Sequence, residues 1–119
     1  MKNLLLFFTL FLMSNISYAG GQPITLTELA GKWQITKFTG SNGNVIPLGD
    51  SAYYIFTMNG DFIEEMDGSQ TKRQYFIKDS KLMIKGPIAG LNFEWDVTAK
   101  DSNNLTLKTS NKELIELRK

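Results

Sequence analysis

The chain has 119 residues, with 13 basic and 12 acidic side chains, no histidine and no cysteine. Those two zeros exclude a Ser-His-Asp triad, a Cys-His pair, a His/Cys zinc site, any disulfide and the N-terminal cysteine of a lipoprotein. The length suits one domain, and the balanced charge lacks the concentrated basic field that nucleic acid favours.

Residues 1–19 read as a secretory leader. Lys2 gives a positive start, Leu4 to Met13 is apolar apart from Thr9, and Ser17-Tyr18-Ala19 places small residues around a cleavage point after Ala19. Ten apolar residues span about 15 Å as a helix, half the ~30 Å of a bilayer core, so the stretch is too short for an anchor. The expected product is an exported, periplasmic or secreted chain of residues 20–119, with no membrane anchor after cleavage. Losing Lys2 leaves 12 bases against 12 acids and ten aromatic side chains. A domain of this size without disulfides relies on packing, and aromatics supply much apolar area per residue.

Thr25-Leu26-Thr27-Glu28 has the spacing of a capping box, and Gly31 closes the short helix that it opens. Short strands follow. We read them at 32–39, 52–58, 61–66, 71–78, 81–85, 91–99, 105–109 and 113–118, with turn residues such as Asn59-Gly60, Asp67-Gly68 and Asp79-Ser80 between them. The loop from Ser41 to Asp50 carries Val45-Ile46-Pro47, which the reading folds back toward the core. The clearest alternation is Leu91, Phe93, Trp95 and Val97 against Asn92, Glu94, Asp96 and Thr98, which predicts a sheet with one wet face. Most connections are too short for parallel crossovers, so the sheet is expected to be antiparallel with sequence neighbours paired. Around Asn59-Gly60, a two-residue turn would pair Phe56 with Ile63. A type I turn with Gly60 as a bulge sets Phe56 opposite Phe62 on one face, and we prefer it.

The Gly31-x-Trp33 pair after a helical turn resembles the lipocalin and calycin superfamily, in particular bacterial lipocalin-like domain proteins. Tyr54-x-Phe56 before the Asn-Gly turn, the segment from Tyr75 to Ile84, Trp95-x-Val97, Leu105-x-Leu107 and Arg118 also fit. The resemblance covers about residues 26–118. It departs from the larger family in its shortness, its missing disulfide and its missing Thr-Asp-Tyr motif. It implies an all-β, antiparallel up-and-down β-barrel of about eight strands with a short N-terminal helical turn. By resemblance, Gly31, Trp33 and Arg118 are structural, with Arg118 lying over the Trp33 ring at the barrel floor.

The expected function is binding of a small apolar molecule in or at the mouth of the barrel, with Tyr54, Phe56, Tyr75, Phe93 and Trp95 as candidate lining. The alternative is a protein–protein module, such as a periplasmic protease inhibitor that presents Gly20 to Ile24. An unpaired inward polar residue, such as Glu64 or Tyr75, would favour the first; an exposed apolar patch at Phe38, Phe76 or Met83 would favour the second. Catalysis is not expected. Glu64 and Glu65 point to opposite faces of a strand, and Glu94 and Asp96 sit on the wet face. Asp61, Glu64, Glu65 and Asp67 face Lys72 and Arg73 as cross-strand ion pairs. No cofactor or metal is expected, and the chain is expected to be a monomer.

Overall fold

The computed structural model describes residues 22–88 and 90–119. The leader read over residues 1–19 lies outside them, as do Gly20, Gly21 and Ala89. A four-residue helix, α1 (Leu26–Leu29), precedes nine strands: β1 (Gly31–Thr39), β2 (Val45–Ile46), β3 (Ala52–Phe56), β4 (Asp61–Met66), β5 (Ser69–Lys78), β6 (Lys81–Lys85), β7 (Asn92–Lys100), β8 (Asn104–Lys108) and β9 (Leu114–Arg118). Each strand from β3 onward pairs antiparallel with the next, β1 pairs with β3, and β9 returns to β1. Eight strands therefore close an up-and-down barrel, as expected, with the β1–β9 pairing in place of two free edges.

The extra strand is β2. Val45 and Ile46 do not fold back onto the core. Gly40 N–H donates to the Asn44 carbonyl at 2.8 Å, and the hairpin so made sets Val45 and Ile46 against Thr39 and Phe38 with both side chains exposed. The other strand ends fall within two residues of their expected places.

The Asn59-Gly60 turn adopts the bulged form. Phe56 stands opposite Phe62, Gly60 has a φ of +94°, and the two rings lie 5.0 Å apart. A left-handed φ costs glycine little, which is why this residue can sit there.

Two bulges decide which side chains enter the barrel. A bulge adds one residue and so reverses the alternation beyond it. In β1 the register shifts between Ile35 and Lys37, so Phe38 stands opposite the buried Ile115 and packs on the core. Simple period two had placed Phe38 outside. In β7 the shift falls between Val97 and Ala99, and Lys100 then stands opposite the buried Leu105. Met83, read on the wet face, is also buried, flanked by Phe76 and Glu94 on the adjoining strands.

The core follows the inward faces: Trp33, Ile35, Tyr54, Phe56, Phe62, Tyr75, Leu82, Ile84, Val97, Leu105, Leu107, Ile115 and Leu117 are all buried, joined by Ile24 and Leu29 from the N-terminal segment. That segment forms the floor. The Trp33 indole N–H donates to the Leu29 carbonyl at 2.8 Å. Gln22 N–H donates to the Val97 carbonyl at 2.6 Å.

The helix is tied down by charge. Thr25 Oγ1 accepts from Glu28 N–H, and the Glu28 carboxylate accepts from Thr25 N–H at 3.0 Å, which completes the capping box. The Lys100 ammonium, turned inward by the β7 bulge, reaches Glu28 Oε2 at 2.7 Å. That ammonium first, then the Thr25 donors, hold the Glu28 carboxyl down at about 2. A folded-state value below the ordinary one stabilises the fold above the ordinary value of 4.5 and ceases to as pH falls toward 2. Glu28 is exposed, so solvent screening limits the effect to about 1 kcal/mol or less. We expect Glu28→Gln to be slightly less stable than wild type in urea at pH 7, with the gap closing by pH 2. A gap independent of pH would show that the charge is not what counts.

Candidate functional site

The connections divide into two sets. The helix and the turns at 57–60, 79–80 and 101–103 gather at the floor, while the hairpin at 40–51, the turn at 67–68, the loop at 86–91 and the turn at 109–113 surround the other end. Along β7 the inward face opens progressively toward that second end. Val97 is fully buried, Trp95 is half-buried, and Phe93 and then Leu91 are 45% and 58% exposed. A regular alternating strand has thus carried its apolar face past the packed core into an open mouth.

The mouth holds a cavity of about 250 Å³, with Phe62 and Ile84 below, Phe93 and Trp95 on one side, and Glu64, Arg73, Thr109 and Glu113 around it. Tyr54 stacks beneath, its ring 5.7 Å from that of Trp95. Burial first, and the Glu64 and Glu113 carboxylates second, push the Tyr54 phenol well above its ordinary value, so it stays protonated at any physiological pH. Thr109 Oγ1 donates to Glu113 Oε1 at 3.2 Å. Among the described residues Glu64 joins no ion pair. A mouth lined by aromatics with a few convergent polar groups is the form taken by small-molecule sites.

The candidate residues thus separate. Trp95 and Phe93 line the mouth and Tyr54 lies directly under it. Phe56 and Tyr75 pack below, with rings 5.3 Å apart, and the Tyr75 hydroxyl donates to the Thr57 carbonyl at 2.6 Å near the floor. A larger groove of about 410 Å³ lies at the floor between the helix and Lys100 to Leu105, and it holds the Glu28–Lys100 pair and the Trp33 ring, whose N–H is bonded to Leu29. It is the joint of the helix with the barrel.

No family model matches the sequence, and no curated protein matches it. Solved structures do. A lipocalin-like protein from Bacteroides uniformis ATCC 8492 superposes with a TM-score of 0.62 at 23% identity, over 77% of this chain and 98% of that one. The fold is lipocalin-like. An uncharacterized protein from Bacteroides eggerthii DSM 20697 has a TM-score of 0.60 at 20% identity, over 76% of this chain and 98% of its own. A protein from Burkholderia xenovorans, solved by NMR, has a TM-score of 0.58 at 11% identity, over 84% and 91%.

The lipocalin-like floor differs in one residue from what the resemblance implied. The cation over Trp33 is Lys119, with Nζ 4.8 Å from the ring centroid, where Arg118 was expected. Leu117 points inward and is buried, so Arg118 falls on the outer face and is exposed, and only the next residue can turn back across the floor. Gly31 makes room for it. A Cβ at Gly31 would come within 2.8 Å of Lys119 Cε, and its φ is +134°.

Sequence reasoning passed over Arg73 and Glu113. Arg73 was assigned to surface pairing with the acids of β4, yet the ion pairs formed there are Asp61–Lys72 at 3.4 Å and Lys32–Glu65 at 3.2 Å. The signal was in the parity: Arg73, Tyr75 and Ile77 share the inward face of β5.

Proposed function

We propose that this chain is an exported binding protein, not an enzyme, and that it takes a small, largely apolar molecule at the open mouth of its lipocalin-like barrel. The observation that carries the reading is the cavity at the mouth, where Trp95, Phe93 and Ile84 present apolar surface beside Glu64 and Arg73. Export rests on residues 1–19. The chain recovered from the exported fraction is expected to have the intact mass of residues 20–119; a full-length mass there would refute cleavage after Ala19.

N-phenyl-1-naphthylamine is a neutral, apolar probe that fluoresces when it leaves water. Its emission should rise on titration with the protein, and Trp95→Ala should weaken binding about tenfold or more, the loss expected for a large aromatic wall. Unchanged emission with wild type, or equal affinity for the variant, would sink the mouth as the site. The protease-inhibitor alternative has less support. The segment it would present is partly fastened, because Gln22 bonds to Val97 and Ile24 is buried.

A further inference from the structure

The barrel wall is open on one side toward the mouth. The β5–β6 ladder begins at Tyr75–Ile84 and runs to the floor, so Ser69 to Gln74 pair with β4 alone. Beside this stretch is a second cavity, about 410 Å³, between Thr71–Gln74 of β5 and Lys85–Pro87 leading out of β6. Lys85 Nζ donates to Gln74 Oε1 at 3.3 Å and closes its lower end.

One bond fixes where the backbone of β5 points. Tyr75 N–H donates to the Gly60 carbonyl at 2.9 Å, which is on the β4 side. Backbone direction alternates along an antiparallel strand, so Arg73 and Thr71 turn their N–H and C=O to β4 as well. Lys72 and Gln70 turn theirs into the opening. Among the described residues no backbone group meets them there. The opposite bank has no ladder to offer: Gly86 N–H is already given to the Leu91 carbonyl at 2.8 Å, and proline at position 87 has no N–H. Gln70 and Lys72 are exposed, so this is a reachable edge with two free donors and two free acceptors. Such an edge is a template for another chain.

Its charge decides which chain. Lys72, Arg73 and Lys85 line the opening and no acid does. Tyr75 and Ile84 take the inner face, so Lys72 and Lys85 lie on the outer one. Arg73 adds to the positive field without a contact, since its Nε and Nη1 are buried. Asp61 is 3.4 Å from Lys72 Nζ, but the lysine is 65% exposed and an exposed pair contributes little. A second copy of this edge would set lysine against lysine, which disfavours self-pairing. An acidic strand meets the same groups with opposite charge.

We propose that this edge docks an extended acidic segment of a partner protein, which adds to β5 as a short antiparallel strand. Its main chain pairs with Gln70 and Lys72. Acids at alternate positions lie on the outer face beside Lys72 and Lys85. Strand addition takes affinity from main-chain hydrogen bonds and specificity from every second side chain. The docking needs no ligand in the mouth.

The probe is acetyl-Glu-Val-Glu-Val-Glu-amide carrying a fluorophore, titrated against the mature protein and read by polarisation. It should bind, and a lysine-for-glutamate counterpart should bind about tenfold more weakly or worse. In the proposed pairing the glutamate N–H groups face β5 and the valine N–H groups face away. N-methylation of the glutamates should therefore weaken binding about tenfold or more, and N-methylation of the valines should leave it within about threefold. Lys72→Gln combined with Lys85→Gln should weaken the acidic peptide about threefold or more, the size expected from cross-strand charge pairs. At saturation the amide hydrogens of Gln70 and Lys72 should exchange with solvent more slowly, while those of Thr71 and Arg73, already bonded to β4, hardly change. No binding, equal binding of the acidic and basic peptides, equal losses from the two methylation patterns, or protection that skips Gln70 and Lys72 would each overturn this edge as the docking site. The methylation comparison uses the unaltered protein, so it decides the matter even where a lysine variant fails to fold.

Discussion

Trp33→Ala is expected to cost about 3–5 kcal/mol in urea unfolding, the range for deleting a large buried aromatic. The indole is almost fully buried, its N–H is held by the Leu29 carbonyl, and the Lys119 ammonium caps its face. Domains of this size unfold with a free energy of about 5–15 kcal/mol in all, so the variant should melt roughly 15–30 °C lower. The loss has two parts. The ring leaves a cavity at the floor, and the helix loses the hydrogen bond that fastens its last turn. Trp33→Phe restores most of the volume but not the donor, and should recover most of the stability. Where the alanine variant is still folded it should bind the neutral probe as wild type does, because floor and mouth are opposite ends of the barrel. An unchanged midpoint would mean that the Gly31-x-Trp33 pair does not organise the floor.

Phe62→Ala should cost a similar amount, about 3–5 kcal/mol, but with a different signature. Phe62 is fully buried, with Tyr54 and Phe56 each at 5.0 Å and Trp95 at 5.9 Å between ring centroids. It is the centre of the aromatic cluster, and aromatic pairs add about 0.5–1.5 kcal/mol each beyond the area they bury. It also forms the bottom of the mouth cavity. Deleting its ring therefore deepens the site while weakening the fold. An apolar cavity of this kind stays dry and takes up a small aromatic molecule. Benzene should raise the melting temperature of Phe62→Ala more than that of wild type. Equal shifts in the two proteins would show that benzene does not enter the space the deletion opens.

The fold was largely legible in the sequence because its signals are local. Alternation in β7, the capping box at Thr25 and the glycine at the bulged turn each report a conformation that nearby residues already favour. Reading Phe56 and Phe62 onto one face succeeded for the same reason. Bulges away from glycine left no such mark. Nothing in Thr36 or Thr98 distinguishes them from neighbouring strand residues, so Phe38 was assigned to the wrong side and the inward turn of Lys100 left no sign. The site was legible only in its aromatic half. Trp95 and Phe93 stood out by size, whereas Arg73 was hidden among the charges of β4 and β5. A long charged side chain is ordinarily read as solvated, and its inward aim depends on the register that the whole sheet adopts.

The ladder between β1 and β9 has a bearing on when the barrel can close. It joins residues as far apart as Gln34 and Arg118, and across it Thr36 Oγ1 donates to the Glu116 carbonyl, 80 positions away. No partial chain lacking β9 can complete that seam, so the barrel cannot shut while its last strand is still being synthesised. Topologies dominated by such distant pairings fold in milliseconds to seconds, not microseconds. For the export proposed above, a polypeptide must remain threadable until it has crossed, and the connectivity of the barrel would supply that delay.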